Sequence, residues 1–249
     1  MAQEIHFKIK RQAGPDAKPY WEEFRMPHAP GHNCVSALMY LREHPVNTKG
    51  ERVDPVVWES NCMEEVCGAC SMLINGVPRQ ACSALVDDLE QPIVLEPLSK
   101  FPVIRDLQVN RQKMFDALLK VKAWVPIDGT QDIHRHAPLI SPGEQAARYL
   151  FSRCMTCGCC MEACPQYQKD SEFIGPAPLA QVRLHNSHPT GGYFKEERLH
   201  AIMGPGGLAD CGNAQNCVKV CPKDIPLTEA IGALGRQTTA QWLRDMFVS

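Results

Sequence analysis

Residues 154–165 decide most of what the sequence predicts, and they read Cys-Met-Thr-Cys-Gly-Cys-Cys-Met-Glu-Ala-Cys-Pro. Half of these residues are cysteine or glycine, and the stretch ends in Cys-Pro. A similar spacing recurs further along the chain at Cys211, Cys217 and Cys221, and a proline again follows the last cysteine. Thiols grouped at such intervals are typical of iron–sulfur ligation. The stretch therefore predicts that the chain holds redox metal clusters.

The thirteen cysteines of this 249-residue chain do not fit a disulfide framework. Their number is odd, Cys159 and Cys160 are adjacent, and residues 1–11 contain no apolar signal-peptide core. Disulfide-rich chains are usually shorter and are exported to an oxidising compartment. We therefore expect an intracellular protein with thiolates that bind metal.

The overall composition is that of an ordinary folded protein, with 44% hydrophobic and 22% charged residues. The formal net charge of −2 gives no electrostatic case for nucleic acid, which usually requires a basic patch. Apolar stretches are only a few residues long, far below the ~20 needed to cross a bilayer. Any role at a membrane would therefore depend on other subunits.

Residues 1–105 are predicted to form a β-rich domain. Ile5, Phe7 and Ile9 alternate with polar residues, which is the period of a half-buried strand. Further strands are predicted over 20–26, 71–74, 80–86 and 93–95, with an Asn-Gly hairpin turn at 75–76. A short helix is predicted over 33–42, with Asn33 as its N-cap.

Residues 106–249 are predicted to form an α-rich domain. A helical stripe of apolar residues covers 107–125, whereas 126–143 is rich in proline, glycine and polar residues and is predicted to be a loop. Further helices are predicted over 145–151, 179–185, 195–203, 228–234 and 240–247. The predicted fold class is therefore α+β, with the two kinds of structure in separate domains.

The first cysteine group has the spacing Cys62-x4-Cys67-x2-Cys70-x11-Cys82. This is the plant-type spacing of a [2Fe–2S] cluster, with three ligands in one loop and the fourth beyond it. The small residues between the second and third cysteines would let the loop wrap closely around a compact cluster. A four-cysteine zinc site is the alternative, but structural zinc usually has two closely spaced cysteine pairs. The asymmetric spacing favours [2Fe–2S].

The second group, within residues 154–165, has the spacing Cys-x2-Cys-x2-Cys-x3-Cys-Pro. It matches the bacterial ferredoxin run, in which the fourth cysteine ligates the other cluster of a pair. The fourth cysteine here is Cys164. Cys159 lies off this spacing, and we expect it to be a packed spare thiol.

The third group fits the same template except that its second position is Ala214. Alanine has no donor atom, so one cluster of the pair receives only three thiolates. Three thiolates suit a [3Fe–4S] cluster, because its missing iron corner needs no ligand. The predicted ligands are Cys154, Cys157, Cys160 and Cys221 for a [4Fe–4S] cluster and Cys164, Cys211 and Cys217 for a [3Fe–4S] cluster. A water or another side chain completing a fourth iron is the alternative.

The number, order and spacing of these motifs resemble the iron–sulfur subunit of succinate dehydrogenase and fumarate reductase. The resemblance covers nearly the whole chain and includes the ligand cysteines and residues 101–109, Phe-Pro-Val-Ile-Arg-Asp-Leu-Gln-Val. Residues 155–160 and 208–217 resemble the members that have a haem-bearing membrane anchor and use menaquinone. The resemblance implies a β-grasp [2Fe–2S] ferredoxin-like domain followed by an α-helical bacterial-ferredoxin-like domain.

The resemblance also implies partners. They are a flavoprotein subunit with FAD, which interconverts succinate and fumarate, and a haem-bearing membrane anchor at which quinone reacts. The chain would be peripheral, on the cytoplasmic face of the cell membrane, in a succinate:quinone oxidoreductase of the respiratory chain and tricarboxylic acid cycle. It would relay single electrons through its three clusters and would contribute no catalytic residue to succinate chemistry.

One departure from the family concerns the quinone. Ubiquinone-linked members place a tryptophan shortly after Cys-Pro and a histidine directly after the first ligand of the last motif. Here residues 166–169 are Gln-Tyr-Gln-Lys, and Gly212 follows Cys211. We therefore expect electrons to leave to a haem of the anchor. Pro165 and Gln168 are the candidates for a quinone contact in this chain.

Three other functions are compatible with parts of the pattern. A quinol:fumarate reductase subunit would carry the same clusters and run in the opposite direction. A free-standing soluble ferredoxin-type carrier would need no dedicated partners, although the length of the chain and its second domain argue against it. A zinc-binding interaction module would be colourless.

Overall fold

The computed structural model describes residues 4–125 and 139–247. Contacts between residues divide the chain into two compact units. The first comprises Met1–Arg111 and Met155–Ala163, and the second comprises Gln112–Cys154 and Cys164–Ser249. Most of the cysteine-rich stretch that begins at Cys154 therefore packs within the first unit.

The first unit contains strands β1 (Glu4–Arg11), β2 (Tyr20–Pro27), β3 (Ser71–Ile74), β4 (Val77–Gln80), β5 (Ile93–Glu96), β6 (Val103–Arg105) and β7 (Gln108–Val109), and helices α1 (Cys34–Glu43) and α4 (Cys159–Glu162). Five strands form one sheet in the order β2-β1-β5-β3-β4. β1 and β5 are parallel, and the other neighbours are antiparallel. A mixed sheet with one long helix confirms the fold that the resemblance implied.

The core of this unit lies between the sheet and α1, and it has the periodicity that the sequence predicts. Ile5, Phe7 and Ile9 are at most 1% exposed, so the alternation in β1 is confirmed. α1 begins after Asn33, whose side chain accepts a hydrogen bond from the backbone N–H of Ser36 at 2.9 Å. The Ser36 hydroxyl accepts one from the Asn33 backbone in return, at 3.0 Å. This reciprocal cap confirms the predicted start of the helix.

Two elements differ from the prediction. The strand predicted over 80–86 is wrong, because β4 ends at Gln80 and the following residues leave the sheet. Ala81 and Ala84 are fully buried, so their apolar character reflects packing in the core and not strand alternation. The helix predicted over 107–125 is also wrong at its start, where β6 and β7 form a hairpin and helix α2 (Gln112–Lys120) has not yet begun.

A buried ion pair holds the β6–β7 hairpin. Asp106 is 1% exposed and lies at the turn with a φ of 47°. Its carboxylate accepts hydrogen bonds from Arg11 Nε at 3.0 Å and from the backbone N–H groups of Gln12 and Val57, each at 3.0 Å. Burial by itself lowers the pKa of Arg11, but the hydrogen bond and charge of Asp106, with smaller effects from Tyr20 and Glu22, outweigh burial and raise the pKa. This long-range contact therefore makes the chain form a hairpin here, although the apolar stripe after residue 107 predicts a helix.

We expect Asp106→Ala to destabilise the protein by about 3–5 kcal/mol, because the buried Arg11 guanidinium keeps only its other carboxylate partner, Glu22, and two backbone N–H groups lose their acceptor. Asp106→Asn is the matched control, since asparagine tolerates a positive φ and keeps one carbonyl acceptor. Denaturant unfolding of the cluster-loaded protein measures both free energies. Equal losses for the two variants would contradict the role given to the charge.

The second unit contains helices α2 (Gln112–Lys120), α3 (Pro142–Ser152), α5 (Pro176–Ser187), α6 (Lys195–Met203), α7 (Asn216–Lys219) and α8 (Leu227–Phe247). α5 lies against α3, α6 and α8. The two helices predicted over 228–234 and 240–247 are one continuous helix. Most of the predicted loop over 126–143 falls outside the described residues. No described helix combines the length and apolar character required of a membrane-spanning segment.

A fully buried arginine organises this unit. Arg198 donates to the carbonyl oxygens of Lys122 at 2.9 Å, Trp124 at 2.8 Å and Gly191 at 2.5 Å. Its burial lowers its pKa. Three carbonyl dipoles thus satisfy the guanidinium and fix the chain that follows α2.

Candidate iron–sulfur sites

Backbone amides surround the first thiols of the group at residues 62–82. The N–H groups of Glu64 and Val66 each lie 3.4 Å from Cys62 Sγ, and that of Ala69 lies 3.4 Å from Cys67 Sγ. Positive φ angles at Met63, Glu65 and Gly68 accompany this arrangement, at 59°, 55° and 72°. A loop of this shape presents N–H donors to sulfur, as an anionic iron–sulfur cluster requires.

The four thiols of this group differ strongly in environment. Hydrogen bonds from the Glu64 and Val66 amides lower the pKa of Cys62 to about 7. Burial raises the pKa of Cys70 to about 12, and its side chain is hydrogen-bonded to that of Cys82. Cys82 is the second residue after β4, and its contact with Cys70 brings it to the loop that holds the other three cysteines. The four residues therefore fit a cluster that has one exposed side, at Cys62, and one buried side, at Cys70.

In the cluster-free chain, Cys62 should be the most rapidly alkylated thiol of this group, with a rate that is half-maximal near pH 7. A lowered pKa means that the reactive thiolate is already present at neutral pH. Cys70 is the internal control and should stay unmodified at pH 8. Iodoacetamide labelling followed by peptide mass spectrometry measures both rates, and equal labelling of the two thiols would contradict the expectation.

Cys157 and Cys160 flank the start of α4 in the first unit. Gly158 precedes the helix with a φ of 88°, and a side chain there would press against the Phe101 ring at 3.3 Å. At the other end of α4, the buried Glu162 carboxylate accepts from the Lys100 backbone N–H at 3.0 Å and from the Ser99 hydroxyl. The two cysteines are thereby fixed by contacts on both sides of the helix.

The loop of the first group approaches Cys157 closely. A Cβ added at Gly68 would lie 2.8 Å from both Cα and Cβ of Cys157, a distance that real Cβ atoms do not reach. The Gly68 carbonyl accepts a hydrogen bond from Arg111 Nη1 at 2.7 Å. A hydrogen bond from Cys159 lowers the pKa of Cys157 to about 7, and the positive charge of Arg111 adds a smaller effect in the same direction. Glycine at residue 68 is therefore required by contact between two cysteine loops.

In the second unit, Cys164, Cys211 and Cys217 line one cavity, together with Ala214. Burial raises the pKa of Cys217, and the negative charges of Cys164 and Cys211 raise it further. This repulsion means that the sulfur of Cys217 lies close to those of Cys164 and Cys211. A cationic iron core would relieve the repulsion, so the donor set fits a bound cluster.

Ala214 occupies the exposed loop between the second and third of these cysteines. Its neighbours Asn213 and Gln215 both have positive φ, at 51° and 62°. The loop thus passes along the cavity without offering a sulfur or carboxylate at residue 214.

A residue that sequence reasoning missed lies beside this cavity. Gln166 Oε1 is 3.7 Å from Cys164 Sγ, and a Cβ added at Gly212 would lie 2.4 Å from Gln166 Nε2. The Gln166 amide therefore fills the space that a side chain at 212 would occupy. Of the two quinone candidates, Pro165 lines the cavity, and Gln168 donates its amide N–H back to the Pro165 carbonyl at 3.1 Å.

The other cysteines are divided between the two units. Of the predicted [4Fe–4S] ligands, Cys157 and Cys160 belong to the first unit and Cys154 and Cys221 to the second; the four-ligand set stays a prediction. Cys34 is fully buried in the β-sheet core, and burial raises its pKa to about 12. All thirteen cysteines lie within the described residues and are free of disulfides.

Comparisons with known proteins bear on both units. A family model of a 2Fe-2S iron-sulfur cluster binding domain matches residues 6–116, and a model of a 4Fe-4S dicluster domain matches residues 151–225. The fold resembles that of a chain of the Mycobacterium smegmatis Sdh1 complex in the apo form, with a TM-score of 0.81 at 19% identity, covering 97% of this chain and 98% of that one. This likeness supports the two-domain fold.

Relatives with assigned functions are closer in sequence. The succinate dehydrogenase iron-sulfur subunit of Bacillus subtilis is 58% identical over 245 residues, covering 98% of this chain and 96% of that protein. The fumarate reductase iron-sulfur subunit of Wolinella succinogenes is 30% identical, covering 89% and 90%. The cysteine chemistry, the fold and these relatives agree, and the chain belongs to the family of succinate dehydrogenase iron–sulfur subunits.

Proposed function

We propose that this chain carries three clusters in a succinate:quinone oxidoreductase. The proposed ligands are Cys62, Cys67, Cys70 and Cys82 for [2Fe–2S], Cys154, Cys157, Cys160 and Cys221 for [4Fe–4S], and Cys164, Cys211 and Cys217 for [3Fe–4S]. The observation that carries the proposal is the cavity in which three cysteines converge beside Ala214. A fourth cavity-lining sulfur would be needed for a fourth iron, and residue 214 does not supply it.

The clusters, when bound, supply single-electron transfer between a flavin and a quinone or haem. The protein supplies the surroundings that set their potentials. N–H groups directed at Cys62 stabilise negative charge there. Arg111 adds a positive charge near Cys157. Burial of Cys70 and Cys217 keeps water from the inner side of each group.

Ala214→Cys should convert the proposed [3Fe–4S] cluster towards [4Fe–4S], because it restores the missing thiolate. The EPR signal of the air-oxidised protein should be lost, and transfer of electrons out of the subunit should slow because a [4Fe–4S] cluster here would have a lower potential. Iron content should rise.

Ala214→Val is the matched control for that substitution, because it changes the size of the side chain without adding a donor atom. It should retain the oxidised-state EPR signal. If the signal survived unchanged in Ala214→Cys as well, the proposed pairing of ligands would be wrong.

We further propose that the partners are an FAD flavoprotein subunit and a haem-bearing membrane anchor, with the chain peripheral on the cytoplasmic face of the membrane. The quinone, proposed to be menaquinone, then reacts within the anchor. The position of Gln166 supports this, because its amide fills the space over Gly212 next to the three-cysteine cavity. Succinate oxidation is favoured over fumarate reduction, since the succinate dehydrogenase relative is 58% identical and the fumarate reductase relative 30%.

A photoreactive menaquinone analogue should therefore label the anchor subunit of the purified complex and leave this chain unlabelled. Peptide mass spectrometry of the separated subunits measures the distribution of label. A ubiquinone analogue serves as the control for non-specific labelling. Labelled peptides that contain Pro165 or Gln168 would show instead that quinone reacts beside the three-cysteine cavity.

A further inference from the structure

A fully buried polar side chain lies between two cysteine groups of the first unit. Gln80, at the end of β4, is 0% exposed. Its Oε1 is 3.6 Å from Cys70 Sγ, and its Nε2 is 3.5 Å from Cys159 Sγ. The Cys159 thiol, also 0% exposed, is in turn hydrogen-bonded to Cys157. One amide and one thiol thus connect a predicted [2Fe–2S] ligand with a predicted [4Fe–4S] ligand.

The orientation of the Gln80 amide follows from its other partner. Gln80 Nε2 donates to Ser71 Oγ at 2.8 Å, and the Ser71 hydroxyl donates to the Gly68 carbonyl at 2.8 Å. Since the hydroxyl has only one proton, Ser71 can accept from Gln80 but cannot donate to it. The amide nitrogen therefore faces Ser71 and Cys159, and the carbonyl oxygen faces Cys70.

Packing alone does not explain these two side chains. A buried amide has to satisfy its hydrogen bonds, and an apolar residue would fill the same space without that requirement. Cys159 is not at a ligand spacing, yet its thiol lies between Gln80 and Cys157. A side chain at Gly68 would clash with Cys157 nearby, so the connection crosses the point where the two cysteine loops approach each other.

We propose that Gln80 acts as an oriented dipole between the two clusters and, through Cys159, biases the electron from the [2Fe–2S] site towards the [4Fe–4S] site. The proposal rests on the ligand sets given under Proposed function. Gln80 and Cys159 are positioning residues, since neither ligates iron.

The sign of the bias follows from the ends of the dipole. The carbonyl oxygen next to Cys70 disfavours added negative charge and lowers the potential of the [2Fe–2S] site. On the other side, the N–H of Gln80 donates to Cys159, and the Cys159 thiol donates to Cys157. Hydrogen bonds in such a chain strengthen one another and stabilise added negative charge, which raises the potential of the [4Fe–4S] site. One electron leaves the first site and enters the second, and no proton has to move because the ligands stay thiolates.

The test is an EPR-monitored redox titration of the membrane-bound complex with Gln80→Leu, which keeps the bulk and removes the dipole. The [2Fe–2S] potential should rise and the [4Fe–4S] potential should fall. Each redox equilibrium should change roughly three- to tenfold, which is about 30–60 mV for a one-electron couple. No shift, or shifts of the same sign at both sites, would overturn the proposal.

Substitutions of Cys159 separate the effect of Gln80 on the [2Fe–2S] site from its effect, through Cys159, on the [4Fe–4S] site. Cys159→Ala should lower the [4Fe–4S] potential alone, whereas Cys159→Ser keeps a donor and should restore it. In the double variant with Cys159→Ala, Gln80→Leu should still raise the [2Fe–2S] potential. It should cause no further fall in the [4Fe–4S] potential, because Gln80 acts on that site only through Cys159. Additive shifts would show that they act independently, which would contradict the proposal.

Failure of the ligand assignment has a different signature. Cys157→Ala should remove the [4Fe–4S] signal, and its survival would show that the assignment itself is wrong. If Gln80→Leu prevents cluster loading, the near-isosteric pair Cys159→Ala and Cys159→Ser still tests the inference, because equal potentials for those two variants would overturn it.

Discussion

Repulsion between converging thiolates is the constraint on which the rest of this structure depends. Burial raises the pKa of Cys217, and the negative charges of Cys164 and Cys211 in the same small cavity raise it further. The fold positions the cysteines of its three groups with short helices, positive backbone angles and N–H groups directed at sulfur. The same devices recur at Cys62, where two amides stabilise the thiolate. The backbone of the cysteine loops is therefore arranged to accommodate the negative charge of thiolates.

Local features of the site could be predicted from the sequence, because ligand spacing within one loop is a property of a short segment. The grouping of Cys211 and Cys217 around Ala214 and the hairpin at 75–76 are both local in this sense. Periodicity also identified β1 and the capped start of α1. The continuity of α8 escaped prediction because glycines within it weaken the helical pattern without ending the helix.

The sequence-based predictions fail where a residue's hydrogen-bond or packing partner is distant in the chain. Asp106 begins a stretch with helical periodicity, but its carboxylate bonds to Arg11 and turns the chain into a hairpin. Gln80 could not be singled out, because its partner Cys159 follows 79 residues later. The role of Gln166 likewise depends on Gly212. Such contacts require a three-dimensional arrangement that no pattern of spacing contains.

Residues 166 and 212 have a further consequence for comparing relatives of this chain. The amide of Gln166 takes the volume that a side chain at residue 212 would need. The two positions cannot both place a group there, so the residue at 166 and the residue at 212 constrain each other. A large residue at 212 is compatible with this backbone only if residue 166 is small or turned away. Residues 166 and 212 should therefore be compared as a pair, because together they describe the surroundings of the three-cysteine cavity better than either residue does alone.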